Sequence, residues 1–334
     1  MFGHKYGASH IIWRRGPTLG KLFAGVLCMT LLLGGCNRDT RKKIAVIPKG
    51  RAHLFWQSVH AGANSAARDA DVEIIWNGPA TETDFNGQLQ IVDAMINQHV
   101  DAIALAPIDK TAMVSVVDRA TRQGIPVIIF DSPVDTQNFV AQVATDNHHA
   151  GELAAERMIQ ILGGKGEIAI IAVEVGGAST MAREAGFEEA IHKGAPGIKI
   201  MDKKYGNADF AQSMAVSENM LTAYPGLSAM FASNESSTVG AARAIKTRKS
   251  TVKLVGFDSS PSLLEDLKSG LIDSLIVQDP FRMGHDCIQA AVEKLRGGTP
   301  VKIQNLAPRV VTKENMSDPE IQKVLSPDLD KYLK

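Results

Sequence analysis

The sequence predicts an α/β fold in two halves, each a parallel sheet with helices on both faces. Three observations predict it. From Lys43 onward, short apolar runs alternate with segments of helical period. That succession ends and begins again after Phe139–Val143. Five of the runs also end in a side chain with strong hydrogen-bonding capacity. A chain of 334 residues, 45% hydrophobic and 22% charged, has room for two such cores.

The elements follow in order. Ile44–Ile47 reads as a strand, Phe55–Asp69 as a helix and Val72–Trp76 as a strand. Helix Asp84–Gln98, strand Ala102–Ala106, helix Thr111–Gln123 and strand Val127–Phe130 continue the pattern, with Gly124–Ile125–Pro126 as punctuation. After Phe139–Val143 come helix Asn147–Leu162, strand Glu167–Ala172, helix Ser179–Lys193 and strand Ile198–Lys203. Helix Asp209–Tyr224, strand Ala229–Phe231, helix Ser236–Thr247 and strand Lys253–Phe257 follow. A strand at Ser274–Val277, a helix at Phe281–Leu295 and a strand at Leu306–Val311 close the chain. Two Rossmann-like lobes fit the usual domain size, with the boundary near Thr145. The expected division is residues 43–145 with 279–308, and residues 146–278 with 309–334.

The first 36 residues read as a processing signal. Arg14, Arg15 and Lys21 precede the 14-residue apolar segment Leu22–Gly35, too short for an ordinary transmembrane helix. The string LLLGGC at 31–36 resembles a bacterial lipobox, which makes Cys36 the expected lipidated first residue of a membrane-anchored, extracytoplasmic protein. Cys28 falls inside the signal, so Cys287 is the thiol left to the folded part, where its helical setting suggests a small buried hydrophobe. Without the first 35 residues the charge balance is 32 basic against 36 acidic, about −4. No basic run interleaved with aromatics suggests a nucleic-acid partner.

The polar strand ends are the functional signal. Lys49, Asp131, Asn234, Asp258 and Gln278 each follow an apolar run. In open α/β sheets, ligands bind in the crevice beyond the carboxyl ends of the strands. Such groups suit a polyol, whose hydroxyls donate and accept, while its C–H faces stack on a ring. Phe55 and Trp56 begin a helix directly after the first strand, and Phe210 is a further ring. In the string GGASTMAREAGFEEA at 176–190, Ser179 or Thr180 is expected to cap a helix and place Arg183 in its first turn. Taken alone, Arg183 reads as a surface arginine paired with Glu184 or Glu188.

Three segments carry a resemblance. ADFAQSMAVSENMLTAYPGLSAMFASNESSTVGAARAI (208–245), VGFDSSP (255–261) and IVQDPFRMG (276–284) resemble the ribose-binding-type periplasmic sugar-binding proteins, substrate-binding subunits of ABC transporters. The similarity runs from Lys43 to about Val311. It implies the type I periplasmic binding protein fold, two lobes joined by a three-segment hinge. It also implies ligand roles for Phe55, Trp56, Asp131, Arg183, Phe210, Asn234, Asp258 and Gln278. Two departures stand out: Ser132 replaces an arginine, and Lys49 and His53, also expected to be ligand residues, replace a small hydroxyl residue and an asparagine. The opening IAVIPKG and NGPATETDFNGQLQIV (77–92) also look like proteins that bind a furanosyl quorum signal.

Other signals are weaker. His148, His149, Glu152 and Glu156 have metal-compatible spacing but open a helix expected to face solvent, so no metal or other cofactor is expected. Gly163, Gly164 and Gly166 close a helix before a strand, the reverse of a phosphate loop. Asp131 and Asp258 invite a glycosidase reading, yet binding is the more economical one. The expected function is therefore non-enzymatic: a monomeric receptor that closes on a monosaccharide or small polyol and delivers it to an ABC permease. The alternative is a sensory receptor for a sugar or furanosyl signal. A transcription regulator of the same fold would need an N-terminal helix-turn-helix where this chain has its signal. Asp258→Ala and Asn234→Ala are expected to abolish ligand effects and leave ligand-free melting nearly unchanged.

Overall fold

The computed structural model describes residues 1–5, 7–10, 12 and 40–334. The expected lipobox, with Cys28 and Cys36, lies outside the described residues. The separate unit Met1–Thr40 has neither helix nor strand at its described positions, and Arg41–Lys334 forms the compact unit.

Two six-stranded sheets organise that unit. The first has the order β11-β5-β4-β3-β1-β2, built from β1 (Lys43–Ile47), β2 (Glu73–Trp76), β3 (Ala102–Leu105), β4 (Val127–Phe130), β5 (Ala141–Thr145) and β11 (Ile303–Leu306). The second has the order β12-β10-β9-β8-β6-β7. Its strands are β6 (Lys165–Ala172), β7 (Gly197–Tyr205), β8 (Ala229–Ala232), β9 (Lys253–Phe257), β10 (Ser274–Val277) and β12 (Arg309–Thr312). Position by position the two orders correspond, but β11 joins its sheet parallel and β12 antiparallel.

The apolar runs of the inner strands are continuous because those strands are buried on both faces. Alternate residues go to opposite faces: Ile44, Val46, Ala102, Ala104, Ile128 and Phe130 pack in one core. Their neighbours Ala45, Ile47, Ile103, Leu105, Val127 and Ile129 pack in the other. The second sheet divides in the same way between two further cores.

Eleven helices are described. On the first sheet lie α1 (Leu54–Ala70), α2 (Phe85–Asn97) and α3 (Val114–Arg122). The second sheet carries α4 (Asn147–Leu162), α5 (Ala178–Gly194), α6 (Phe210–Ala223), α7 (Glu235–Arg248) and α8 (Pro261–Ser269). After β10, α9 (Pro280–Leu295) returns to the first lobe, α10 (Pro319–Leu325) packs on the second, and α11 (Asp330–Leu333) ends the chain.

In each lobe one helix pair crosses through glycine. A Cβ on Gly62 of α1 would lie 1.9 Å from the Phe281 carbonyl oxygen, and one on Gly284 of α9 2.0 Å from that of Val59. In the second lobe, a Cβ on Gly151 of α4 would lie 2.0 Å from the Arg183 carbonyl oxygen, and one on Gly186 of α5 2.2 Å from that of His148. Only glycine admits such an approach.

Two expectations need correction. The single strand at Leu306–Val311 is two strands in different sheets, split at Pro308, which has no N–H to continue a ladder. The tail 309–334 does not stay on one lobe. Asn64 Nδ2 donates to the Tyr332 carbonyl at 2.9 Å and Arg68 Nη1 to that of Lys331 at 2.7 Å, which seats α11 on α1 of the first lobe.

Candidate functional site

Each sheet reverses its strand order beside its first strand, β1 against β3 and β6 against β8. The carboxyl ends there form the crevice that such switch points create. Asp131 follows β4 and Asp258 follows β9, which are equivalent strands of the two lobes. Both take left-handed backbone, φ 61° and 66°, and both donate their N–H to the neighbouring strand. Aspartate tolerates this conformation better than most residues. The turn aims each carboxylate off its sheet and into the space between lobes.

Eight of the ten expected ligand residues line that space: His53, Phe55, Trp56, Asp131, Arg183, Asn234, Asp258 and Gln278. Glu82, Ser179, Thr180 and Glu235 join them and were not anticipated. The lobes meet closely enough to leave a cavity of about 20 Å³, little more than one water occupies. A monosaccharide enters only when the lobes part. Larger cavities of about 440 and 450 Å³ lie on the hinge side and at the crevice mouth.

Arg183 is the best-held member. It is 2% exposed, with its guanidinium 4.0 Å from the centre of the Phe257 ring. Nε donates to Asn147 Oδ1 at 2.7 Å and Nη1 to the Ser233 carbonyl at 3.0 Å. The expected partners Glu184 and Glu188 pair with Lys203 instead. Gly177 rather than Ser179 or Thr180 is the cap of α5, and the Thr180 hydroxyl donates back to the Gly177 carbonyl. The helix therefore starts at Ala178 and Arg183 lies in its second turn.

The remaining polar groups are wired together. Gln278 Nε2 donates to Asp258 Oδ1 at 2.7 Å, and Gln278 Oε1 accepts from the Thr145 hydroxyl at 2.7 Å. Gln278 thus ties two hinge segments to a crevice carboxylate. Asp258 Oδ2 accepts from the Glu235 N–H at 2.9 Å. Burial raises the Asp258 carboxyl above its ordinary range, opposed chiefly by the Arg183 charge. Asn234 Oδ1 caps α7 by accepting from the Ser237 N–H at 2.9 Å.

Lys49 is buried but does not line the cavity. Its ammonium lies 2.8 Å from Asp131 Oδ2, an ion pair without hydrogen-bond direction, and donates to the Ser179 hydroxyl of the other lobe at 2.8 Å. Ser132, where the resemblance had an arginine, accepts from the Ser179 N–H at 3.1 Å. Phe210 also lies outside the inner cavity, at the crevice mouth, with its ring edge-on to His53 at 5.1 Å. His53 Nδ1 pairs with Glu82 Oε1 at 2.6 Å, and Trp56 Nε1 donates to the same carboxylate at 2.8 Å. Burial pulls His53 down, but Glu82, with Glu235 and Asp258, outweighs it and raises the imidazole to about 9.

The weaker signals take ordinary roles. His148 and His149 pair with Glu189 and Glu152 on the surface, and no metal-holding cluster exists among the described residues. Cys287 is buried in the first-lobe core, where burial raises its thiol. Among the described residues no helix is long and apolar enough to cross a membrane.

Residues 44–299 match the family described as Periplasmic binding protein domain. A D-ribose/D-allose-binding protein of Pseudomonas aeruginosa is 32% identical over 296 residues, covering 84% of this chain and 92% of that one. The D-allose-binding periplasmic protein of Escherichia coli is 28% identical over 288 residues, covering 83% and 92%. Among solved structures, a carbohydrate-transporter solute-binding protein of Agrobacterium radiobacter, in complex with D-arabinose, has a TM-score of 0.83 and 33% identity. That alignment covers 86% of this chain and 99% of the other. An ABC transporter solute-binding protein of Agrobacterium vitis with bound D-fucose gives 0.83 and 34%, covering 85% and 100%. The chain belongs to the periplasmic binding protein family, as a non-enzymatic sugar-binding component of an ABC transporter.

Proposed function

We propose that the crevice closes on one neutral monosaccharide or small polyol, and that the closed form is what the permease accepts. The observation that carries this is the pair of equivalent aspartates, Asp131 and Asp258, facing one cavity with the pinned guanidinium of Arg183. Fixed carboxylates and a guanidinium match vicinal hydroxyls, and they penalise a ligand that leaves them unpaired. Glu82, Asp131, Asp258 and Glu235, the last raised to about 7, face three cations, Lys49, His53 and Arg183, so the crevice carries no excess positive charge. That balance disfavours sugar acids and phosphates. The relatives' ligands, D-ribose, D-allose, D-arabinose and D-fucose, are all neutral.

Asp131, Asn234, Asp258, Gln278 and Arg183 are assigned to hydroxyls and Phe55 to a sugar face, with Lys49 and His53 setting the crevice wall. Residues 43–145 with 279–308 form one moving lobe, and 146–278 with 309–329 the other. The chain works as a monomer held to a membrane by lipid on Cys36. Micromolar affinity corresponds to about 8 kcal/mol, within reach of a few charge-assisted hydrogen bonds at about 1.5–3 kcal/mol each, less ordering costs.

Thermal-shift and tryptophan-fluorescence screening of residues 37–334 against pentoses, hexoses, polyols and furanosyl signals tests the reading. Trp56 lines the crevice and reports on it directly. If no compound raises the melting temperature or alters fluorescence, the sugar assignment is wrong.

A further inference from the structure

Helix α1 opens without a side-chain cap from its own lobe. The side chain of its N-cap residue, His53, makes no bond to the first turn, and the ring binds Glu82 and the Ala208 carbonyl instead. The first amides of a helix have no acceptor within the helix, and burying them unpaired is costly. Here the Leu54 N–H donates to Glu235 Oε1 at 3.3 Å and the Phe55 N–H to Glu235 Oε2 at 3.2 Å. Glu235 is the first residue of α7, in the other lobe. Its buried carboxylate thus lies where the N-terminal ends of two helices converge from opposite lobes, and both ends favour negative charge. Opening the crevice breaks both bonds.

We propose that Glu235 is a positioning residue for closure, its carboxylate capping α1 from across the crevice and fixing how Phe55 is presented to the sugar. This rests on the closing-lobe reading above, although the cap itself needs no particular ligand.

Protonation couples to the same contact. The groups facing Glu235 are His53 ahead of α1, Asp258 after β9, Arg183 of α5, and Glu82 behind His53. Burial pushes the Glu235 carboxyl up to about 7, with His53 opposing and Asp258 adding. Opening the crevice relieves that burial, so closing favours the protonated form and takes up a proton. Closure therefore weakens as pH rises through about 7. His53 keeps its main partner, Glu82, within its own lobe, so only the charges of Glu235 and Asp258 link its protonation to closure.

Hydrogen exchange of the full chain, read by mass spectrometry on peptides across residues 52–58, tests the cap. Glu235→Ala should speed exchange at Leu54 and Phe55 tenfold or more and leave residues 239–248 of α7 unchanged. Equal exchange in wild type and variant overturns the proposal, as does acceleration spread through α7. Glu235→Gln keeps an acceptor and cannot titrate. It should flatten the pH 5–7 dependence of protection at Leu54 and Phe55, after correction for intrinsic exchange, and so decides the matter if the alanine variant misfolds. An unflattened profile counts against the proposal. Titration with D-ribose, D-allose and D-arabinose runs alongside. If none binds wild type the sugar reading fails, while the exchange result still decides the cap.

Discussion

Replacing Lys49 by Met removes the cation paired with buried Asp131 and leaves it only the more distant charge of Arg183. At 2.8 Å, with an effective dielectric near 20, the pair attracts by about 6 kcal/mol. Desolvation of the two ions offsets part of this, and breaking a buried pair from one side typically loses about 3–5 kcal/mol. Lys49→Met and Asp131→Asn should each destabilise on that scale. The double variant should lose less than their sum by about 2 kcal/mol or more, because each single change strands the other partner. Urea unfolding of the four proteins measures the coupling. Additivity to within about 0.5 kcal/mol would refute the ion-pair argument and leave Lys49 free to be a direct ligand group. The Ser179 contact adds a second signature, since it crosses the lobes and should show up as weaker sugar affinity even at temperatures where both variants stay folded.

Three further outcomes are expected. Gly151→Ala places a methyl 2.0 Å from the Arg183 carbonyl, so it should lose at least about 1–3 kcal/mol in denaturation and weaken sugar binding by displacing α5. His53 is raised to about 9, so the stability it contributes is fully present below pH 6.5 and lost as pH climbs through 9. A melting profile over that range should flatten in His53→Asn. Asn234→Ala should cost about 1 kcal/mol of ligand-free stability, because the side chain caps α7. Asn234→Ser keeps a cap and removes the amide, so calorimetry should show weaker binding at nearly unchanged melting temperature.

The last expectation revises what the sequence suggested, and the reason is instructive. A polar residue after an apolar run is visible locally, so Asp131, Asn234, Asp258 and Gln278 could be placed at the crevice from the order of residues alone. What each one bonds to is set by chains far away in sequence: Gln278 by Thr145, Arg183 by Asn147, Lys49 by Ser179. Asn234 looked like a pure ligand group because a strand end and a helix cap share one position, and sequence does not say which use the side chain takes. Glu82 and Glu235 look like solvated acids, one in a loop and the other in a first helical turn; distant partners hold them instead, His53 and Trp56 for Glu82 and the start of α1 for Glu235. The first-turn acid at a crevice-facing helix was the available signal for Glu235. The strand at Leu306–Val311 failed differently, since apolar residues flank Pro308 on both sides although the two flanks belong to different sheets.

Because α11 returns to α1, the chain's last helix travels with the lobe that holds its first strand. Reporters fused at Lys334 and placed near Lys43 would share one frame of reference and register little as the protein works. A reporter at Lys334 paired with one on the outer face of α6 would register the swing itself. A cell-surface sensor made from this chain should be labelled across the lobes, not end to end.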